Sequence, residues 1–341
     1  MPAASKALAY AVPNSHPAPE PEALCRNFVS ALDFSPEETI SLFDLTQVIK
    51  GRPADFRGAL AGKQMVLFFE KASLRTRLTF EAGMAALGGT SLFVDQTRSR
   101  LNEREPIRDI ARNIERWVDV VVLRTYEHST ITEMAENTCI PVINALSDYE
   151  HPCQAYADYF TLQEKFGDLG KVHVAYVGDG NNVAHSLLLT AATLGSSIAV
   201  ATPRGYAPKP EVVKTARAIG KKTGAIIEIT EDPASAVTGA NAIYTDVWAS
   251  MGQEDQAAKR ARIFMPYQVT KKLFALAASD AVFMHCLPAH RGEEVAADVI
   301  DSPHSVIYDQ AENRMHVQKA ILLSLLGGGM PRARSRSNHH A

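Results

Sequence analysis

QMVLFFEKASLRTRLTFEAGMAALGGTSLFVD, residues 64–95, decides the fold. Its first six residues, QMVLFF (64–69), form an almost wholly apolar run and predict a strand covered on both faces. A helical pattern follows in FEAGMAALG (80–88), and TSLFVD (90–95) predicts a second strand. A strand that returns through a helix runs parallel to the first. The same alternation continues through strands DVVVLRT (119–125) and PVINAL (141–146), with helices over 105–118 and 129–138. It resumes in KVHVAYVG (171–178), SSIAVAT (196–202), AIIEIT (225–230), AIYTDV (242–247) and AVFMHCL (281–287). The expected class is therefore α/β: two open parallel-sheet α/β domains with an active-site cleft between them. The predicted junction is the helix HPCQAYADYFTLQEKFG (151–167), ending at Gly167. A strand SVIYD (305–309) and a last helix over 315–327 close the pattern.

At 341 residues the chain is long enough for two well-buried cores. With 35 Lys and Arg against 38 Asp and Glu, the net charge is −3, and no basic face is implied that would favour nucleic acid. No apolar run approaches the roughly 20 residues of a membrane helix. Residues 1–23 hold one lysine, no arginine and no long apolar core, and are read as a flexible lead-in rather than a targeting signal. Residues 328–341 are read as a flexible basic tail. Cys25, Cys139, Cys153 and Cys286 form no CxxC pair, which fits a reducing cytoplasm and predicts neither disulfide framework nor metal.

Ligands of open α/β sheets bind beyond the carboxyl ends of the strands, so the polar residues there carry the functional reading. After 64–69 come Ser73, Leu74, Arg75 and Thr76. If they open a helix, free backbone N–H groups, two hydroxyls and a guanidinium make an anion site, an N-terminus favouring an anion by about 0.3–1 kcal/mol. A capped helix with exposed arginines is the equal alternative. Arg124 ends the next apolar strand, serving either an anion or a structural ion pair. SDYEHPCQ (147–154) brings His151 and Gln154, with Asp148 as a candidate partner for the histidine. GDGNNVAHS (178–186) is not GxGxxG, since position 183 is Val, and the following strand ends in ATPRG rather than an acid. A dinucleotide-dependent oxidoreductase is disfavoured on both counts. Asn181 and Asn182 could instead hold a carboxylate. DVWASMGQE (246–254) offers Asp246 for an amine, with Ser250 and Met251 on a loop that could close over a ligand. In HCLPAHRGEE (285–294), Cys286 is either an inert buried thiol or a site residue, and Pro288 predicts an extended Leu287. Arg314, placed at the start of the last helix, is a further anion contact or a surface charge. The division suggests an anionic substrate on one domain and an amino acid on the other.

SLRTR, HPCQ, GDGNNVAHS, DVWASMGQE, HCLPAHRGEE and AENR, in this order over about residues 24–327, resemble the aspartate/ornithine carbamoyltransferase family, and DVWASMGQE with HCLP resembles its ornithine branch. The resemblance implies carbamoyl transfer from carbamoyl phosphate to the side-chain amine of L-ornithine, without cofactor. It implies a carbamoyl phosphate domain over 24–150 joined by helix 312–327, an ornithine domain over 151–311, and a homotrimer with sites at subunit interfaces. It further implies a carbamoyl phosphate site of Ser73, Leu74, Arg75, Thr76, Arg124, His151, Pro152, Cys153, Gln154, Cys286, Leu287 and Arg314. Asn182, Asp246, Ser250 and Met251 would hold ornithine, and Cys286, Arg124 and His151 would act in catalysis. Two positions depart from the family pattern. Leu74 stands where threonine is usual, leaving only its backbone N–H. Arg100 stands where a glutamine usually reaches a neighbouring subunit's carbamoyl phosphate and is counted with the carbamoyl phosphate site as a cross-subunit contact, a differently placed loop being the alternative, and Asn102 replaces the usual glycine. Putrescine or N-acetylornithine are the alternative amines, and a non-catalytic binder is a further alternative.

Overall fold

The computed structural model describes residues 26–249 and 254–327. In the first half, helix α1 (Pro36–Gly51) precedes β1 (Gln64–Phe69), α2 (Leu74–Ala86), β2 (Thr90–Asp95), α3 (Ile107–Ile114), β3 (Val120–Arg124), α4 (His128–Glu136), β4 (Val142–Leu146) and α5 (Pro152–Phe166). The second half runs β5 (His173–Val177), α6 (Asn182–Leu194), β6 (Ser197–Ala201), α7 (Pro210–Thr223), β7 (Ile227–Thr230), α8 (Pro233–Val237) and β8 (Ala242–Thr245). It continues with α9 (Ala257–Phe264), α10 (Lys271–Phe274), β9 (Val282–His285), α11 (Ala297–Ile300) and α12 (Ile307–Leu325).

All the strand pairings are parallel, in two sheets of order β2-β1-β3-β4 and β7-β6-β5-β8-β9. The two-domain α/β expectation holds. Each sheet reverses its winding once, between β1 and β3 and between β5 and β8, and the strand ends there are the crevices that such sheets offer to ligands. Every residue of β3 is buried, as a central parallel strand requires. α5 is buried along residues 152–162. Its Tyr156 packs its ring against Phe28 and Phe43, and one apolar core runs from α1 through α5 and α12 to α6.

Two local expectations fail. The predicted strand 305–309 is not formed: Ser305 makes one bridge to Phe283, and α12 begins at Ile307. The β-branched residues there suggested a strand, but packing α12 against α1, α2 and α5 overrides that preference. Arg314 therefore sits well inside a 19-residue helix, not at its start. Leu287 is not extended but has φ 61°, preceding a cis peptide bond to Pro288. Its N–H donates to His285 Nδ1 at 2.8 Å, and His285 Nε2 lies 3.2 Å from the buried Glu294 carboxylate. This pair of contacts fixes the imidazole with its proton on Nε2, and the turn forms around the ring.

Candidate active site

The carboxyl ends of both sheets face a cleft of ≈ 500 Å³. On its first wall, Ser73 caps α2, its hydroxyl accepting from Thr76 N at 3.2 Å. The capped-helix alternative is realised, and it is compatible with an anion site, because capping occupies one amide and leaves those of Leu74 and Arg75 at the helix opening. Arg314 reaches across from α12 and donates through Nη2 to Thr76 Oγ1 at 2.6 Å. Arg124, from the end of β3, completes the wall, and Arg124 and Arg314 are both almost fully buried. Burial first, then repulsion from Arg314 and Arg75, brings the Arg124 guanidinium down from 12.5 to about 10. It remains charged at neutral pH, in a cluster of like charges that an anion would relieve.

His151 precedes α5 and donates its backbone N–H to Ser186 Oγ at 2.9 Å. Burial, followed by Arg314 and Arg124, holds its pKa well below 6.5, so the imidazole is neutral. Asp148 does not serve His151; it accepts from His128 N at the opening of α4. Gln154 lies one turn further along α5, and its Oε1 is buried with no hydrogen-bond partner among the described residues.

The second wall is built around Asp246, just after β8. Its Oδ2 accepts from Asn181 Nδ2 at 2.9 Å, and its Oδ1 from Val247 N at 2.8 Å. The Cys286 thiol donates to the same Oδ1 at 3.1 Å. Burial and the Asp246 carboxylate push the Cys286 pKa well above 9.0, so it stands as a thiol at neutral pH. Asn181 is consumed as the cap of α6, accepting from Val183 and Ala184 N, whereas Asn182 lines the cleft and donates to Ser147 O at 2.6 Å. Behind this wall the buried Arg260 pairs with Asp179 at 2.8 Å and donates to Trp248 O at 2.9 Å, anchoring the chain that leads into the loop. The candidates Ser250 and Met251 lie outside the described residues.

Ser73, Leu74, Arg75, Thr76, Arg124, His151, Gln154, Asn182, Asp246, Cys286, Leu287 and Arg314 all line this one cleft. Pro152, Cys153 and Arg100 do not. The second residue of α5 points inward, so Cys153 is buried with its thiol on Asn144 O at 3.4 Å, and Pro152 is covered beside it. Arg100 is exposed, pairs with Glu127 at 2.7 Å and belongs to a separate hollow that Leu92 and Trp117 also line. Sequence reasoning passed over Lys71 and His290, which line the cleft. It also missed Glu70, whose buried carboxylate accepts from Leu101 N and Tyr126 N and so ties the Arg100 loop to the end of β1. Nor did it see that Asp246 joins His285 and Cys286, their ligand atoms lying within 4.8 Å of one another. The hydrogen bonds already made by all three side chains account for that grouping.

A guanidinium-lined wall facing a carboxylate and a thiol, across two α/β sheets, fits the class of enzymes that transfer a group between two substrates. The carbamoyl-P binding domain of the aspartate/ornithine carbamoyltransferase family matches residues 26–164, and the family's Asp/Orn binding domain matches residues 170–325. The ornithine carbamoyltransferase of Pyrococcus abyssi is 48% identical over 308 residues, covering 89% of this chain and 96% of that protein. That of Carboxydothermus hydrogenoformans is 50% identical over 304 residues, covering 89% and 98%. The solved ornithine carbamoyltransferase of Pyrococcus furiosus superimposes with a TM-score of 0.87 at 46% identity, over 91% of this chain and all of that one. The chain belongs to the aspartate/ornithine carbamoyltransferase family.

Proposed function

We propose that the protein transfers the carbamoyl group of carbamoyl phosphate to the side-chain amine of L-ornithine, giving L-citrulline and phosphate. The observation that carries this reading is the pairing of the two walls. Arg124, Arg314 and the opening of α2 face Asp246, which sits with Cys286 and Asn182 on the other side of one cleft. Ser73, Arg75, Thr76 and Arg314 hold the phosphate, and the backbone N–H of Leu74 serves where a hydroxyl is lacking. Arg124 and the neutral His151 take the carbamoyl oxygen, with Gln154 on the carbamoyl NH₂. Asp246 binds the α-ammonium of ornithine and Asn182 its carboxylate, together with Ser250 and Met251.

The uncharged side-chain amine attacks the carbamoyl carbon with its lone pair. The carbonyl electrons move to oxygen, where Arg124, His151 and Thr76 stabilise the oxyanion, such preorganised donors each contributing about 2.7–4 kcal/mol. Collapse breaks the C–O bond, and phosphate leaves with the bonding electrons into the arginine cluster. The attacking nitrogen, left positively charged, then releases one proton. Cys286, a thiol held by Asp246, cannot accept it in that state, which supports a positioning role for the thiol and leaves the departing phosphate as the base. Bringing two substrates together supplies much of the rate.

The finer reading is a cytoplasmic homotrimer in arginine biosynthesis, with the domain limits expected from the sequence. Exposed Leu92 and Trp117 beside Arg100 support a subunit interface on that face. One relative, from Pyrococcus furiosus, is named an anabolic ornithine carbamoyltransferase. The test is citrulline-type product formation measured in parallel with ornithine, N-acetylornithine and putrescine. Ornithine should dominate, because N-acetylornithine lacks the free α-ammonium for Asp246 and putrescine lacks the carboxylate for Asn182; equal rates with putrescine would overturn the assignment.

A further inference from the structure

We propose that Asp158, which does not line the cleft, sets the enzyme's preference for carbamoyl over other acyl phosphates by orienting the amide of Gln154. The inference rests on the reading of the bound anion as carbamoyl phosphate.

Gln154 and Asp158 stand four residues apart on α5 and so share one face of the helix. Gln154 Nε2 donates to Asp158 Oδ1 at 2.8 Å. A carboxylate only accepts, so it takes the NH₂ end of the amide and turns the oxygen away. That oxygen, Oε1, is buried, has no partner among the described residues, and belongs to a side chain lining the cleft. A buried acceptor without a donor is unfavourable until a ligand supplies an N–H. A carbamoyl group supplies one; the methyl of an acetyl group of nearly the same shape does not. A site built to bond an N–H rejects the analogue lacking it far more strongly than an apolar site can.

Asp158 is itself held. Gln310 Nε2, from α12, donates to the same Oδ1 at 2.7 Å, and Gln310 Oε1 accepts from His285 N at 2.9 Å. The backbone N–H on one side and the carboxylate on the other allow Gln310 a single orientation. Asp158 is fully buried, and burial pushes its carboxyl to about 7; because both donors sit on Oδ1, the proton it carries below that pH resides on Oδ2 and Oδ1 still accepts. With both donors on one oxygen, an asparagine presenting its oxygen at the same place keeps both bonds, whereas leucine keeps neither.

The experiment compares carbamoyl phosphate as substrate with acetyl phosphate as competitive inhibitor of citrulline formation, in wild type, D158N, D158L and D158S. The readout is the ratio of acetyl phosphate Ki to carbamoyl phosphate KM. Wild type and D158N should share a high ratio, and D158L and D158S should lower it about ten-fold or more, a change of about 1.4 kcal/mol. A purely structural role would weaken both ligands together and leave the ratio unchanged in any variant that folds, and that result overturns the proposal. So does a wild-type enzyme that binds acetyl phosphate as well as carbamoyl phosphate, which needs no variant. Absence of citrulline from the wild type would instead overturn the functional reading on which the proposal stands.

Discussion

Replacing Arg314 by methionine should separate binding from stability. Arg314 is buried, its Nε lacks a hydrogen-bond partner among the described residues, and its charge opposes that of Arg124. The drop of the Arg124 pKa from 12.5 to about 10 corresponds, at about 1.4 kcal/mol per pH unit, to about 3 kcal/mol of unfavourable energy. Burial is the larger cause and Arg314 the next, so removing Arg314 should return part of this. Against it stands the loss of the charge-assisted hydrogen bond to Thr76, worth about 1.5–3 kcal/mol. R314M should therefore unfold at a urea midpoint close to that of the wild type. Phosphate binding should behave differently. A charge-assisted hydrogen bond contributes about 1.5–3 kcal/mol, so the affinity for inorganic phosphate and the kcat/KM for carbamoyl phosphate should fall by about 10- to 150-fold. The assay is urea unfolding with and without phosphate, alongside steady-state kinetics. If R314M loses more than about 3 kcal/mol without ligand while phosphate still protects it as well as it protects the wild type, Arg314 is a structural strut and the anion-site reasoning is refuted.

Asp246 raises the Cys286 pKa, so D246N should speed iodoacetamide modification of Cys286 at pH 8, followed by peptide mass spectrometry; an unchanged or slower rate would contradict the geometry. Burial raises the Glu150 carboxyl from 4.5 to about 7. The folded state then holds the proton that the unfolded chain releases, so this group's stabilising contribution is present below pH 4.5, declines as pH rises to about 7 and is level above. E150Q should flatten the wild-type urea-stability curve over that window, and parallel curves would count against it. R100A should cost no more than about 1 kcal/mol of stability, its pair with Glu127 being exposed. It should raise the KM for carbamoyl phosphate; an unchanged KM would remove Arg100 from a neighbouring subunit's site.

The parts of the cleft that were legible in the sequence are those in which a strand end and its function lie within about ten residues. β1 followed by Ser73–Thr76 shows its amides, hydroxyls and guanidinium in one reading, and β8 followed by Asp246 does the same. The parts that were hidden depend on residues far apart. Gln310 meets Asp158 across 152 positions, and Glu70 holds Leu101 across 31. No local pattern distinguishes such a glutamine or glutamate from a surface one. Leu287 shows a different limit: a proline rule predicts an extended residue, but the imidazole of His285 captures its N–H and turns the chain instead.

The contact between Thr76 and Arg314 spans 238 positions. On a ribosome adding about 5–20 residues per second, roughly 12–48 seconds thus separate Thr76 from Arg314 on the first wall of the cleft. Until α12 follows, the faces of α1, α2 and α5 that it covers lack their partner. A nascent chain stalled before residue 314 contains the residues of all nine described strands but lacks one guanidinium of the cleft. If Arg314 holds the phosphate as proposed, substrate stabilises chains translated past that point more than shorter ones.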